Sequence, residues 1–150
     1  MFIKHLNSAA VNLDNVSNIF IDRKTQKIIF NMNYSVRLNG NLTSDYEYWH
    51  YTDLSEILPR LEDILEKQGF ILPNNTFNRY VNPNCVSSFK IDEKNKKVIF
   101  NLNSTVTHPE DTRLKEDAQR YTSDFVFIKF TNADEFEEYV EKISELFVIF

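Results

Sequence analysis

The sequence predicts an α+β fold made of two tandem copies of one β-β-β-α unit, with antiparallel sheets and one helix per copy. Three observations support this prediction. Two blocks of the chain are similar at a constant offset, apolar and polar residues alternate along parts of each block, and apolar residues at helical spacing follow each block.

The similarity between the two blocks has no gaps. Residues 11–36 read VNLDNVSNIFIDRKTQKIIFNMNYSV, and residues 81–106 read VNPNCVSSFKIDEKNKKVIFNLNSTV, at an offset of 70. Of the 26 aligned pairs, 13 are identical, which is far more than unrelated segments share. We therefore predict an internal duplication.

A second pair of matching blocks follows at an offset of 79. Residues 46–52 read YEYWHYT, and residues 125–131 read FVFIKFT. The longer offset means that the second copy holds nine additional residues. They fall within the polar segment 107–124, which predicts a loop.

Alternation with a period of two predicts the strands of each copy. Residues 17–22 and 87–92 are predicted strands, which turn through RKTQ and EKNK into the central strands. The apolar positions of the first central strand are Ile28, Phe30, Met32, Tyr34, Val36 and Leu38. We expect this face to be buried, with Phe100 in the place of Phe30 in copy two. Leading strands at residues 2–6 and around 77–81 would make each unit β-β-β-β-α.

A helix is predicted after the third strand of each copy. Its apolar stripe is Leu54, Leu58, Leu61 and Leu65 in copy one, and Phe136, Val140, Ile143 and Phe147 in copy two. Thr52 and Thr131 are predicted N-caps, because a hydroxyl can accept from a free backbone N–H. Gly69 predicts the end of the first helix, and Pro59 must lie in its first turn.

Neither copy alone can cover both faces of its sheet and the helix stripe. We therefore expect one domain over residues 1–150, with repeats at about 1–70 and 71–150 packed around a pseudo-twofold axis. In topology this outline resembles the PUR and Whirly class of single-stranded nucleic-acid-binding domains, over nearly the whole chain. The resemblance implies such binding, but it carries over no motif residue.

Composition and motifs bear on location and chemistry. The chain has a net charge of −5, one cysteine and no apolar run near the roughly 18 residues that span a bilayer. We expect a cytoplasmic protein that does not contact membranes. Two glycines cannot form a phosphate-binding loop, and no nucleophile or metal-ligand motif is present. His108 and Asp111 are metal-ligand types but lie in the added loop, so we predict no metal, cofactor or catalytic residue.

The third strands carry the candidate binding surface. Tyr46, Tyr48 and His50 share one face in copy one, and Phe125, Phe127 and Lys129 share the matching face in copy two. The opposite face is also apolar, with Trp49 matched by Ile128. A strand that is apolar on both faces is either covered on both sides or presents aromatic rings to a partner. Both alternatives remain open at this point.

Charge is unevenly distributed along the chain. Basic residues cluster in the two hairpins, at Arg23, Lys24, Lys27, Lys94, Lys96 and Lys97. Acidic residues cluster on the predicted helices, at Glu62, Asp63, Glu66, Glu137, Glu138, Glu141 and Glu145. The basic hairpins and the acidic helices can each be an ordinary solvated surface. Basic hairpins beside aromatic rings also suit single-stranded nucleic acid, whereas acidic helices suit a basic protein.

From these features we predict a non-catalytic binding or inhibitor-type domain that acts through protein–protein contacts. The alternative is single-stranded nucleic-acid binding on the sheet face. A further alternative is an enzyme whose site assembles only in three dimensions. A homodimer through the aromatic face is an additional option.

Overall fold

A computed structural model describes residues 1–5, 9–73, 78–107 and 121–146 of the chain. The fold is α+β, and every pairing between its described strands is antiparallel. The elements in chain order are β1 Phe2–His5, β2 Ala9–Asn12, β3 Val16–Asp22, β4 Lys27–Leu38, β5 Asn41–His50, α1 Leu58–Lys67, β6 Arg79–Val81, β7 Val86–Asp92, β8 Lys97–Thr107, β9 Tyr121–Lys129 and α2 Ala133–Ser144. Short 3-10 helices lie at Leu13–Asn15, Leu54–Glu56 and Pro83–Cys85. Residues 6, 77, 108, 111 and 147, on which some predictions rest, lie outside the described ranges.

The strands form three sheets, ordered β1-β2, β5-β4-β3-β6 and β7-β8-β9. Strand β6 follows the first helix in sequence, yet it pairs with β3, through Ile19 opposite Tyr80. Strand β7 occupies the place of β3 in the third sheet, but its only strand partner in the described part of the chain is β8. This difference explains why most of β3 is buried and most of β7 is not.

The two larger hairpins have equivalent registers. Phe30 on β4 lies opposite Ile19, and Phe100 on β8 lies opposite Phe89. Both phenylalanines are fully buried, as predicted. The β3–β4 register shifts between positions 16 and 18, and the β7–β8 register shifts between positions 86 and 88. The same backbone irregularity therefore occurs at the same position of each hairpin.

Each of the two larger sheets buries one face against a helix. The first core joins Phe30 and Trp49 of the sheet to Leu61 of α1, and the second joins Phe100 of the sheet to Tyr139 of α2. The apolar stripes of the two helices thus pack as the sequence predicts. No helix within the described ranges is long and apolar enough to cross a membrane.

The apolar face of β4 is buried only along its first half. Met32 is buried, but Tyr34, Val36 and Leu38 are exposed, so the expectation that the whole face is buried was wrong. The reason is length. Helix α1 has 10 residues and covers about 15 Å, whereas the 12 residues of β4 extend about 40 Å.

The helix ends also differ from prediction. Asp53 caps the 3-10 turn before α1, and Asn132 caps α2 by accepting hydrogen bonds from two backbone amides. The predicted cap Thr131 was wrong by one residue, because the Asn132 side-chain oxygen accepts these bonds instead. The predicted cap Thr52 was wrong by five, because α1 begins only after the 3-10 turn and its N-cap, Ile57, makes no side-chain hydrogen bond. Pro59 lies in the first turn of α1, and Gly69, at φ +80°, follows its end.

The two halves of the chain are also joined away from β6. The Leu42 amide donates to the Thr107 hydroxyl at 2.8 Å, and the Ser44 hydroxyl donates to the Asp124 carboxylate. Near the base of β3, the Asn82 side chain donates to the Val16 carbonyl at 2.9 Å. The first two bonds hold β5 against β8 and β9, and the third holds the start of β3 against the residue that follows β6.

Candidate functional site

The outer faces are the faces of the second and third sheets that point away from α1 and α2. On the first of these, Tyr46 lies opposite Asn31, and Tyr48 lies opposite Ile29. Tyr46 is 60% exposed and Tyr48 is 53% exposed. The other face of the same strands fills the core, with Phe30 and Trp49 buried. The two tyrosine rings point away from the core and are available to a partner.

Phe125 and Phe127 occupy the matching positions of the third sheet, 54% and 50% exposed. Phe125 lies opposite Asn101, and Phe127 lies opposite Ile99. Phenylalanine is usually buried, so two half-exposed rings on one face are unusual. Each predicted aromatic pair is thus found on one face of one sheet, with His50 or Lys129 at the end of its strand.

A lysine lies over one ring of each pair. Lys27 Nζ is 4.7 Å from the centroid of the Tyr48 ring, and Lys97 Nζ is 5.6 Å from the centroid of the Phe127 ring. At these distances the cation is attracted to the face of the ring. Each lysine is held beside an aromatic surface with its ammonium group free of any carboxylate within 4.0 Å in the described part of the chain.

The remaining basic residues of the hairpins lie at the turns. Arg23, Lys24 and Lys94 are exposed, and Arg23 Nε donates to Asn78 Oδ1 at 3.0 Å. Lys96 has a positive φ of 51° and is half-buried. The structure therefore places Lys27 and Lys97 beside the aromatic rings and the other four at the ends of the sheets.

Charge on the outer faces is opposite in sign to that of the whole chain. By strand register these faces carry Lys27, Arg79, Lys90, Lys97 and Lys129. Their nearby carboxylates are Asp22, Asp92 and Asp124. Five bases against three acids give a positive surface on a protein with a net charge of −5.

Asp22 and Asp92 each accept hydrogen bonds within their own hairpin turn. Asp22 accepts from the Thr25 hydroxyl at 2.6 Å, and Asp92 accepts from the Asn95 side chain at 2.8 Å. These hydrogen bonds lower the pKa of both carboxyl groups. Both groups therefore stay ionised and have their main partners within the turn.

The outer face of the second sheet meets strand β9 at a polar pocket of about 310 Å³, here called the junction pocket. Its wall includes Phe20 and Arg79 from the second sheet and Asp124 and Phe125 from β9. Asp124 accepts hydrogen bonds from the Ser44 hydroxyl and from the Phe125 amide, the latter at 2.9 Å. An aromatic ring, a cation and a carboxylate thus line one concave site.

Arg79 is held in place within the junction pocket. Its guanidinium donates to Asn18 Oδ1 and lies 5.0 Å from the centroid of the Phe20 ring. The same Asn18 oxygen accepts from Asn31 Nδ2 at 3.0 Å. Burial lowers the pKa of Arg79, but arginine stays protonated at neutral pH. The result is a pre-ordered cation with no carboxylate within 4.0 Å among the described residues.

Sequence reasoning missed Asn18, Phe20, Arg79 and Asp124 as site residues. Phe20 faces outward on β3, and this could be inferred from its alternation with buried Ile19 and Ile21. Arg79 could not be inferred, because its place depends on the crossing of β6 to β3. The counterpart of Phe20 in copy two is Lys90, so the aromatic wall of the junction pocket is not repeated at that position of β7.

The seven predicted acidic side chains of the helices are all exposed. Two of them have partners. Glu62 accepts from the Tyr80 hydroxyl at 2.8 Å, and Asp63 pairs with Lys67 at 2.9 Å. Each helix covers the inner face of its own sheet, so its acidic surface lies on the side of that sheet opposite the outer face.

Cys85, His5 and His50 are the cysteine and histidines of the described part of the chain. Cys85 is buried, and burial raises the pKa of its thiol, so it is a poor nucleophile. His5 stacks on Trp49 at 5.3 Å, while His50 lies exposed on β5. The described residues contain no group of three or more potential metal ligands. The metal-ligand types His108 and Asp111 lie outside these residues.

Comparison of the chain with models of protein families, with curated proteins and with solved structures gives no match.

Proposed function

We propose that this protein binds single-stranded nucleic acid on its outer faces and acts without chemistry of its own. One observation carries the proposal. Each outer face presents two half-exposed aromatic rings, and a lysine lies over one ring of each pair, Lys27 over Tyr48 and Lys97 over Phe127.

The arrangement suits the two parts of a nucleotide. Bases stack on aromatic rings regardless of sequence, and lysines neutralise the phosphates that connect the bases. Successive rings on one strand, such as Tyr46 and Tyr48, are about 7 Å apart, because residues two apart share a face. Successive rings can therefore stack against successive bases of a single strand.

Charge favours this partner over the protein partner that the sequence alone favours. In each of the two larger sheets the outer face is positive and the helix that covers the inner face is acidic, so an anionic strand would approach the outer face and be repelled from the helix. Protein binding remains the second candidate. It is supported by the seven exposed carboxylates on α1 and α2, which would attract a basic protein.

We also propose that the chain is one domain formed by duplication of a β-β-β-α unit, located in the cytoplasm. The turns support the duplication. The Tyr51 amide donates to the Gln26 carbonyl at 2.9 Å, and the Phe130 amide donates to the Lys96 carbonyl at 2.8 Å. Gln26 and Lys96 both have positive φ, at 57° and 51°. An exact twofold relation is not supported by β6, because its counterpart β2 pairs with β1 instead.

Fluorescence anisotropy with labelled single-stranded DNA and RNA at low and high salt tests the proposed function. We expect binding at micromolar protein that weakens as salt increases. A double-stranded oligonucleotide of the same sequence should bind more weakly, because its bases are already stacked. If neither single strand changes the anisotropy at low salt, the proposal fails, and a basic protein partner becomes the leading candidate.

A further inference from the structure

An apolar cavity of about 460 Å³ lies on the other side of the second sheet, between β1, β4, β5 and α1. It falls within the range of about 300–1,000 Å³ that small-molecule sites occupy. Strand β1 forms one wall, and helix α1 forms the facing wall. The lining is mainly apolar and aromatic, and it includes Phe30 and Trp49 from the sheet and Leu61 and Ile64 from α1.

Among the described residues, the charged side chains that line this β1–α1 cavity are Lys4 and Arg60, both exposed. The Met1 ammonium also lies at the cavity, where it pairs with the Asp14 carboxylate at 3.2 Å. No carboxylate side chain of the described residues lines the cavity itself. Lys4 lies on β1 and Arg60 on α1, so the two cations come from facing walls. An apolar interior with two cations at its rim is complementary to a molecule with an apolar body and one negative charge.

Trp49 gives a second indication. It is 4% exposed and lines the cavity, and its Nε1 has no hydrogen-bond partner in the described part of the chain. A buried indole N–H normally has a partner, since leaving it unpaired is unfavourable. An unpaired donor beside an apolar cavity is what a ligand with a hydrogen-bond acceptor, or water, can satisfy.

We propose that the β1–α1 cavity binds a small anionic amphiphile, a molecule with an apolar chain or ring and a single carboxylate or phosphate group. The apolar part packs against Phe30 and Leu61, the anionic group lies between Lys4 and Arg60, and an oxygen of this group is the acceptor proposed for Trp49 Nε1. This site is separate from the outer faces and does not depend on nucleic-acid binding.

Trp49 provides the measurement, because it is the only tryptophan in the chain. We would titrate the protein with octanoate, decanoate and dodecanoate, each below its micelle concentration, and follow Trp49 emission. Calorimetry provides a second readout that does not depend on fluorescence. Decanol and decyltrimethylammonium have the same chain length without the negative charge.

Affinity should rise roughly fourfold for each added methylene until the chain fills the cavity. Decanoate should bind more tightly than decanol, and the cationic amphiphile most weakly. Replacing Arg60→Gln should weaken decanoate binding about two- to fivefold and leave decanol unchanged. Lys67→Gln is the matched control, since Lys67 is an exposed cation of α1 outside the cavity.

A cavity-filling variant, Ile64→Phe, separates binding inside the cavity from adsorption elsewhere. It should abolish the chain-length dependence while far-ultraviolet circular dichroism stays unchanged. Absence of heat and of emission change with decanoate would overturn the proposal. Equal affinity for decanoate and decanol, or equal effects of Arg60→Gln and Lys67→Gln, would overturn the assignment of an anionic ligand. These results would leave the nucleic-acid proposal untouched, because its site is on the opposite face.

Discussion

The Tyr80 hydroxyl donates a 2.8 Å hydrogen bond to the Glu62 carboxylate, and this contact joins β6 to helix α1. Tyr80 packs into the first core, and its neighbour Val81 packs into the second. One short strand thus connects the two cores through adjacent residues that point to opposite faces.

Replacing Tyr80→Phe should lower the free energy of unfolding by about 1–2 kcal/mol, because a hydrogen bond to a charged group is lost. Tyr139→Phe is the matched control. Its hydroxyl is buried without a partner among the described residues, so its removal should change stability by less than about 0.5 kcal/mol or increase it. Urea denaturation measures both. Equal losses in the two variants would contradict the role of the Tyr80–Glu62 bond.

Stability should decrease in alkaline solution. Burial raises the pKa of Tyr80 and Tyr139 above the ordinary value of 10.0, and the charge of Glu62 adds to the effect on Tyr80. Above this pH the unfolded chain releases these protons while the folded chain keeps them, so the free energy of unfolding falls. Below about pH 10 both tyrosines are protonated in the folded and unfolded chains, so their contribution to stability is fully present.

Denaturation in urea at about pH 8 and about pH 11 measures this loss. The double variant Tyr80→Phe, Tyr139→Phe should lose less stability between the two pH values than the wild type. A remaining loss is expected, since the pKa of Tyr51 is also raised by burial. An identical pH dependence in both proteins would show that neither hydroxyl is shielded from solvent.

The two central phenylalanines should contribute similarly to stability. Phe30 and Phe100 are fully buried at equivalent positions of β4 and β8, so replacing either by Ala should cost roughly 3–5 kcal/mol. Phe125→Ala is the control, because this ring is half-exposed and should cost less than about 1 kcal/mol. Chemical denaturation tests this, and a small loss at only one of the two buried positions would mean that the cores differ in packing.

The strands of the two hairpins could be predicted because their signal is local. Alternation along β4 and β8 is set by neighbours in the sequence, and Phe30 and Phe100 lie where the pattern places them. The crossing of β6 could not be predicted, since the pairing of Tyr80 with Ile19 joins residues that are far apart in sequence. Exposure of Tyr34 could not be predicted either, because it depends on the length of α1 relative to β4.

The candidate site likewise combines locally encoded strand faces with contacts between distant residues. Alternation predicts that Tyr48 and Phe127 share a face with Tyr46 and Phe125, and the structure agrees. The third strands are apolar on both faces, and the face that a helix covers is decided by tertiary packing. The sequence pattern alone could not identify it. The junction pocket also depends on the pairing of β6 with β3. No pattern in the sequence near Arg79 therefore predicts that it lines a pocket.

Stacking residues and lysines should affect nucleic-acid binding differently. Tyr48→Ala should cost roughly 1–3 kcal/mol of binding free energy at every salt concentration, because one base loses its stacking surface. Lys27→Ala should instead reduce the slope of log affinity against log salt by about 0.7, since one fewer counterion is released. Anisotropy titrations over a range of salt measure both quantities. Tyr34→Ala is the control, as Tyr34 is exposed but lies outside the outer faces.

Arg79 should strengthen nucleic-acid binding through its fixed position as well as through its positive charge. Its guanidinium is already held by Asn18 and Phe20, so little side-chain freedom is lost when a phosphate or base binds. Arg79→Ala and Lys129→Ala each remove one positive charge from the outer faces, and both should reduce the salt slope by about 0.7. Only Arg79→Ala should also weaken binding at high salt, by about tenfold, because the junction pocket loses a fixed donor.

Anisotropy titrations of these two variants at low and high salt separate the two effects. Thermal unfolding of each variant must be measured as well, because Arg79 also connects β6 to β3 through Asn18. Arg79→Lys serves as the intermediate case: it should restore the salt slope but not the affinity at high salt, since lysine lacks the planar pair of donors. If Arg79→Ala and Lys129→Ala behave alike at every salt concentration, the strand passes over the outer faces without entering the junction pocket.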